Sequence, residues 1–176
     1  MGDTSAREEA SDPLSRCLPL AGIRVLDLSR VLAGPWAAMC LGDLGAEVIK
    51  VEHPQGGDDT RDWGLPTGAT NTSYFDSANR NKRSIALDLT TAEGLATARA
   101  LARTSDVVVQ NFKTGGADRL GLGYAALSAE NPGLIYCSIS GYASDGPEAA
   151  RPGYDIVVQG EAGLMALNGE ADRPPL

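Results

Sequence analysis

The sequence predicts an α/β fold, a Rossmann-like parallel sheet with helices on both faces, and three observations predict it. Runs rich in Val, Ile and Leu, such as IRVLDLS (23–29), EVIKVE (47–52) and DVVVQNF (106–112), are apolar at consecutive positions, the pattern of strands covered on both faces. Segments of helical period separate these runs, as in a chain of βαβ units. The 176 residues, 43% of them hydrophobic, suffice for one core and leave no room for a second full domain.

Taken in order, residues 1–18 carry Ser, Asp, Glu and Ala without an apolar period and read as a mobile tail, so the folded unit is expected over 19–176. The strand Ile23–Ser29, a helix over Pro35–Leu44 and the strand Glu47–Glu52 form a first βαβ unit. Pro54–Ser73 is polar, glycine-rich and long for a connection, so it is expected to be functional or ordered by a partner, with Trp63 and Tyr74 as anchors. SIALDL (84–89) is the next strand, and Thr90 followed by Glu93 reads as a capping box for a helix through Leu95, Ala98, Leu101 and Ala102. After the strand starting at Asp106 come a short helix near Leu120 and another over Tyr124–Glu130. Asn131-Pro132-Gly133 then breaks the chain before the strand LIYCSIS (134–140). A last helix is predicted over Tyr154–Leu167, and Arg173-Pro174-Pro175-Leu176 reads as the middle of a connection.

A formal net charge of -8 argues against nucleic acid and against an anionic membrane surface as partners. No apolar run is long enough to span a bilayer, and Met1–Ser15 lacks a secretory hydrophobic core, so a cytoplasmic protein is expected. Cys17, Cys40 and Cys137 share no C-x-x-C spacing, which speaks against a disulfide framework and a zinc site; Cys40 and Cys137 read as small buried hydrophobes. His53 is the single histidine and sits in the polar stretch EHPQGGDD, a poor setting for a Ser/His/Asp triad.

Ligands of a parallel sheet gather beyond the carboxyl ends of its strands, which directs attention to four segments. In VLAGPWAA (31–38), Gly34 permits close approach and Pro35 suits the first helical position, leaving outward N–H groups for a phosphate or carbonyl oxygen; an ordinary strand-to-helix turn explains the same residues. ANRNKRS (78–84) concentrates Arg80, Lys82 and Arg83, donors suited to phosphate, or else a solvated charge run. QNFKTGGADRLGLGY (110–124) offers a ring, an amide and a guanidinium for an adenine and its phosphates, although Phe112 alone would suit a core. SGYASDGPEAARPGYD (140–155) is a glycine-rich loop of the kind that closes over ligands, or a surface turn. Glu52 stands where a dinucleotide fold keeps its ribose-binding acid, which makes a nicotinamide enzyme the rival, but no G-x-G-x-x-G precedes it.

Four stretches in the same order and spacing, PLAGIRVLDLSRVLAGPWAAMCLGDLGAEVIKVEHPQGGDDTR, NRNKRSIALDL, DVVVQNFKTGGADRLGLGY and SGYASDGPEAARPGYDIVVQGEAGLM, resemble the family III coenzyme A transferases from Pro19 onward. The family includes formyl-CoA transferase, carnitine CoA-transferase and α-methylacyl-CoA racemase. The resemblance implies an enzyme that moves CoA from an acyl-CoA thioester to a carboxylic acid. An aspartate attacks the thioester, and CoA passes through an enzyme thioester to the acceptor.

By the same resemblance this chain is the amino-terminal part of the large domain. The nucleophilic aspartate is expected beyond Leu176, so no catalytic residue and no metal are expected within the chain, and the chain alone is expected to be inactive. The cofactor implied is coenzyme A, as acyl-CoA substrate, with a carboxylic acid acceptor and an intertwined homodimer in the full-length parent. The contacts implied are Leu32 and Ala33 after the first strand, His53, then Leu87, Asp88, Leu89 and Thr90, then Asn111, Phe112 and Lys113, Arg119 near the phosphates, and Tyr154 with Asp155. Three positions depart from formyl-CoA transferase, which has arginine at His53, glutamine at Leu32 and lysine at Pro152, and this speaks against oxalate or formate as substrate. Racemases of the superfamily carry histidine where Tyr154 stands, which speaks against racemisation. A noncatalytic CoA-binding module is the alternative, separated by whether the reading frame continues past Leu176. The abrupt ending also predicts that the chain alone aggregates.

Overall fold

The structure, a computed structural model, describes residues 18–168 and 172–174. All but Leu18 of the expected mobile tail lies outside the described residues, as do Cys17 and part of the predicted terminal connection. Five strands, β1 (Arg24–Asp27), β2 (Glu47–Glu52), β3 (Lys82–Ala86), β4 (Val107–Gln110) and β5 (Ile135–Ser138), form one sheet in the order β3-β2-β1-β4-β5. Every pairing is parallel. Among the described residues the helices are α1 (Ala33–Asp43), α2 (Ser73–Asn79), α3 (Ala92–Arg103), α4 (Gly116–Arg119), α5 (Tyr124–Glu130), α6 (Asp155–Glu161) and α7 (Leu164–Leu167), with a 3-10 turn over Asp59–Asp62.

Alternate side chains of the inner strands feed two different cores. Leu26, Leu28, Val51 and Val108 meet Ala98 and Ala102 of α3 and Leu127 of α5 on one face, while Val25, Val48 and Val109 meet Ala38 of α1 on the other. Each fully buried Val or Leu contributes about 1.5–3 kcal/mol, which is why both faces of β1, β2 and β4 must be apolar over most of their length. The α1 face departs from this rule. It also carries Asp27, Lys50 and Glu52, all buried.

Several boundaries differ from the sequence reading. β3 begins two residues earlier than predicted because Lys82 and Arg83 find carboxylate partners, Asp27 and Glu47, at the sheet. Thr91, not Thr90, caps α3, accepting from the backbone N–H of Gly94, while Thr90 donates its hydroxyl to Asp88. The predicted last helix splits into α6 and α7 at Gly163, whose φ of 78° is left-handed. Cys40 is exposed on the outer side of α1, one turn from exposed Trp36, and Cys137 is only half-buried against the α1-side core, so the expectation that both are buried fails.

The long polar stretch is ordered from within the chain. Arg61 donates to both Glu52 oxygens, to the carbonyl of Thr70 and to Asn71 Oδ1, and lies 3.7 Å from the centre of the Phe75 ring. Trp63 and Tyr74 pack edge to face at 5.8 Å, the anchoring expected of them.

Candidate functional site

β1 lies between β2 and β4, so the crossovers leave it in opposite directions and a crevice opens beyond its carboxyl end. The residues following β1, β2, β3 and β4 converge there on a cleft of about 160 Å³. Its floor is apolar, from Leu28, Val51, Leu87, Leu89, Phe112 and Leu120, and its rim is polar, from Arg30, Glu52, His53, Asp88 and Thr90. Ligand pockets usually measure about 300–1,000 Å³, so this one accepts a ring or one end of a larger ligand.

Charge around the cleft runs against the acidic balance of the chain. Arg30, Lys113 and Arg119 are exposed, and no ion pair among the described residues uses them. Asp88 accepts from the Thr90 hydroxyl and N–H, and those bonds, with His53 nearby, hold its carboxyl below the ordinary value.

The turn from β1 into α1 is held by side chains at consecutive peptides. Ser29 N–H donates to Asp27, and the Ser29 carbonyl accepts from Lys50 Nζ at 2.8 Å. Asn111 accepts from Arg30 N–H at 2.9 Å and donates to the Arg30 carbonyl at 2.8 Å. Val31 N–H is shared by both Asp58 oxygens at 3.3 Å. Val31 has φ 69°, a left-handed conformation that costs a β-branched residue about 1–3 kcal/mol and persists only where the surroundings impose it. Beyond it, the N–H groups of Leu32, Ala33 and Gly34 meet no acceptor among the described residues.

Beneath this turn lies a cluster of buried charge. Lys50 and Asp58 pair at 2.9 Å, Lys82 and Asp27 at 2.8 Å, with all four side chains at most 2% exposed. Lys82 also donates to the Pro35 carbonyl and Asn79 Oδ1. Asp58 further accepts from Thr60 N–H and the Thr60 hydroxyl. Burial pushes the Asp58 carboxyl up, but Lys50 and the Thr60 bonds outweigh it and hold the carboxyl below its ordinary 3.8. Glu52 behaves likewise: burial raises it, and bonds from Arg61 and Ser84 bring it below 4.5. For Lys82, burial lowers the amine further than Asp27 restores it.

Of the residues singled out in the sequence, His53, Leu87, Asp88, Leu89, Thr90 and Phe112 line the cleft. Lys113, on the β4–α4 connection, and Arg119, the last residue of α4, are not among the lining but adjoin the lining residues Phe112 and Leu120 in sequence, and the Asn111 side-chain amide is occupied by the Arg30 peptide. Leu32 and Ala33 lie at the start of α1, outside the lining. Tyr154 and Asp155 are exposed at the start of α6 and are not brought to the cleft; Asp155 accepts from Gln159.

At three places the structure bears on alternatives that the sequence left open. The basic segment is taken up by carboxylates of the chain itself: Arg80 binds Asp43 and Arg83 binds Glu47 near the amino ends of β2 and β3, while Lys82 reaches Asp27 at the carboxyl end of β1, buried beneath the turn. Glu52 is not a free ribose acceptor, because Arg61 grips both its oxygens and the side chain is 4% exposed. Packing alone requires a glycine at position 34, since a Cβ there would sit 2.3 Å from the Ser29 side chain. The buried Lys50, Asp58, Asp27 and Lys82 were missed as a group. Their signal was a lysine inside the otherwise apolar EVIKVE run, where a charge is tolerated only with a partner. Among the described residues, no group of three or more His, Cys, Asp or Glu could hold a metal.

Comparison with known proteins agrees with the fold. The family model described as CoA-transferase family III matches residues 20–176. A succinate–glutarate CoA-transferase of Agrobacterium fabrum is 51% identical over 172 residues, covering 94% of this chain and 43% of that protein. The human succinyl-CoA:glutarate CoA-transferase is 49% identical over 158 residues, covering 90% of this chain and 36% of that protein. The crystal structure of a CAIB/BAIF family protein from Brucella suis superposes with a TM-score of 0.86 at 52% identity, over 90% of this chain and 43% of that one. The chain thus spans less than half the length of these relatives.

Proposed function

Because this chain belongs to CoA-transferase family III, we propose that it carries the nucleotide-binding part of an enzyme that moves CoA from an acyl-CoA thioester to a carboxylic acid. The observation that carries the reading is the cleft at the switch point, apolar inside and with Arg30 at its rim, while Lys113 and Arg119 are next in sequence to the lining residues Phe112 and Leu120; all three cations have no ion pair among the described residues, in a chain of net charge -8. A flat base fits the Leu87, Leu89 and Phe112 floor, and guanidinium and ammonium groups at the rim suit phosphate oxygens. The contact roles implied by the resemblance are assigned on this basis to His53, Leu87–Thr90, Phe112, Lys113 and Arg119, with Asn111 acting through the Arg30 backbone.

Dicarboxylic acids are the substrates we assign, with a succinyl donor first, since relatives near half identity are named for succinate and glutarate. Covalent transfer through an aspartate, an intertwined homodimer and a cytoplasmic location belong to the same reading. Support for assembly comes from α6 and α7, which bury no residue and expose Ile156, Leu164 and Leu167, and from β5, whose Ile135 is 64% exposed on a strand paired along one edge. No helix is long and apolar enough to cross a membrane among the described residues.

The test is transfer of CoA from succinyl-CoA to glutarate and to a panel of other acids by the gene product containing this chain. Glutaryl-CoA formation is expected. A product that epimerises a 2-methylacyl-CoA and transfers CoA to no acid would overturn the reading.

A further inference from the structure

We propose that Arg61 sets the preference of the cleft for an adenosine bearing a 3′-phosphate, as in CoA, over one with a free ribose diol, and that it does so through Glu52, whose charge it cancels and whose acceptor sites it helps to fill. This deepens the CoA reading above and rests on it. The ionisable side chains lining the cleft are Arg30, Glu52, His53 and Asp88, so that two carboxylates stand against one guanidinium. Glu52 is held below its ordinary 4.5 and is therefore charged at neutral pH. A phosphate monoester carries about −1.5 to −2 charges near pH 7, and it would meet a wall of its own sign unless one of those carboxylates were cancelled from behind. Arg61, which is not among the lining, supplies that cancellation at 2.6 Å.

Glu52 ends β2, the place from which an acid takes ribose hydroxyls in a dinucleotide fold. Here its lone-pair sites are filled from within the chain. Oε1 accepts from Arg61 Nη2 at 2.8 Å and from the Ser84 hydroxyl, while Oε2 accepts from Arg61 Nε and from Asp58 N–H at 3.1 Å. Four donors on one carboxylate leave no acceptor for a diol.

Arg61 does not turn to the phosphate itself. Its other amine donates to the Thr70 carbonyl and to Asn71 Oδ1, and the guanidinium lies 3.7 Å from the centre of the Phe75 ring. The fork also has a built seat: at Gly57, whose φ is 72°, a Cβ would come 2.7 Å from both Arg61 Cδ and Glu52 Oε2. Arg61 thus acts on the cleft through the carboxylate it holds, as a positioning residue.

The experiment titrates CoA and dephospho-CoA, at low salt, into the gene product containing this chain, for the parent and for Arg61→Gln, Glu52→Gln and the double variant. The parent is expected to prefer CoA. Arg61→Gln leaves Glu52 uncompensated and should cut that preference about tenfold, with dephospho-CoA bound within about threefold of the parent. Glu52→Gln leaves Arg61 uncompensated and should raise the preference, and the double variant should return it to within about threefold of the parent. Arg61→Lys, which keeps the charge, should keep the preference. Should Arg61→Gln fail to fold, the rise in Glu52→Gln, and its shrinkage at high salt, decides the matter. A fork that only holds the loop in place would weaken both nucleotides alike. Equal losses for the two nucleotides, or single variants that move the preference in the same direction, would overturn the proposal and leave the CoA reading standing. A parent that binds neither nucleotide overturns both.

Discussion

Asn111 grips the Arg30 peptide from both sides, accepting from its N–H at 2.9 Å and donating to its carbonyl at 2.8 Å. This reciprocal pair ties the connection after β4 to the turn after β1 across the switch point, where the cleft opens. Asn111→Asp keeps the acceptor and loses the donor, leaving the Arg30 carbonyl facing a carboxylate. Stability should fall by about 1 kcal/mol, and CoA should bind more weakly although the amide faces protein. Denaturant midpoints and titration of CoA measure the two effects.

The Lys82–Asp27 pair is buried on both sides. Lys82→Met alone should destabilise by about 3–5 kcal/mol, because it strands the Asp27 charge, whereas Lys82→Met with Asp27→Leu should recover most of that loss. Urea melts of the two variants check this. Equal destabilisation by the single and double changes would show that the pair is needed for shape and not for charge balance.

Acid should unfold the chain through Glu52 and Asp58. Both carboxyls sit below their ordinary values of 4.5 and 3.8 in the folded state, so at acid pH the unfolded chain binds more protons. Their contribution is complete above about 4.5 and is lost as pH falls through the folded values. Replacing Glu52 by Gln should flatten the fall of Tm below about pH 4.5, measured by calorimetry across that window.

Arg119 and Arg80 should separate cleanly. Arg119 has no ion pair among the described residues and directly precedes the lining residue Leu120, so Arg119→Gln should weaken CoA at least about tenfold, the loss of one charge-assisted bond. Arg80 binds Asp43 away from the cleft, and Arg80→Gln should leave CoA affinity within about twofold. Titration at two salt concentrations reads both, with a shallower salt dependence for Arg119→Gln.

Much of the fold was legible because burial on both faces writes itself into a strand. The residues of β2 were read without error from EVIKVE, and Tyr124–Glu130 was read as the helix it forms. The start of β3 was not legible, since Lys82 and Arg83 look like loop residues until Asp27 and Glu47, distant in sequence, supply their partners. The Lys50–Asp58 pair was hidden for a different reason: its members are close in sequence, but they meet only when the loop after β2 folds back toward the strand. Among the cleft residues, Phe112 lies in a segment that topology singled out, whereas His53 and Leu87–Thr90 were named only through the family resemblance. Basic residues before a strand were left between a phosphate site and a solvated run, because nothing local in the sequence shows that carboxylates elsewhere in the chain pair with them.

The central claim is that the strand ends around Phe112 and Arg119 hold the nucleotide end of coenzyme A. Isothermal titration of this chain with CoA and, separately, with NADH tests it most directly. The account predicts saturable binding of CoA, tighter than NADH, and lost with Arg119→Gln. NADH binding tighter than CoA, or CoA affinity untouched by that substitution, would contradict it.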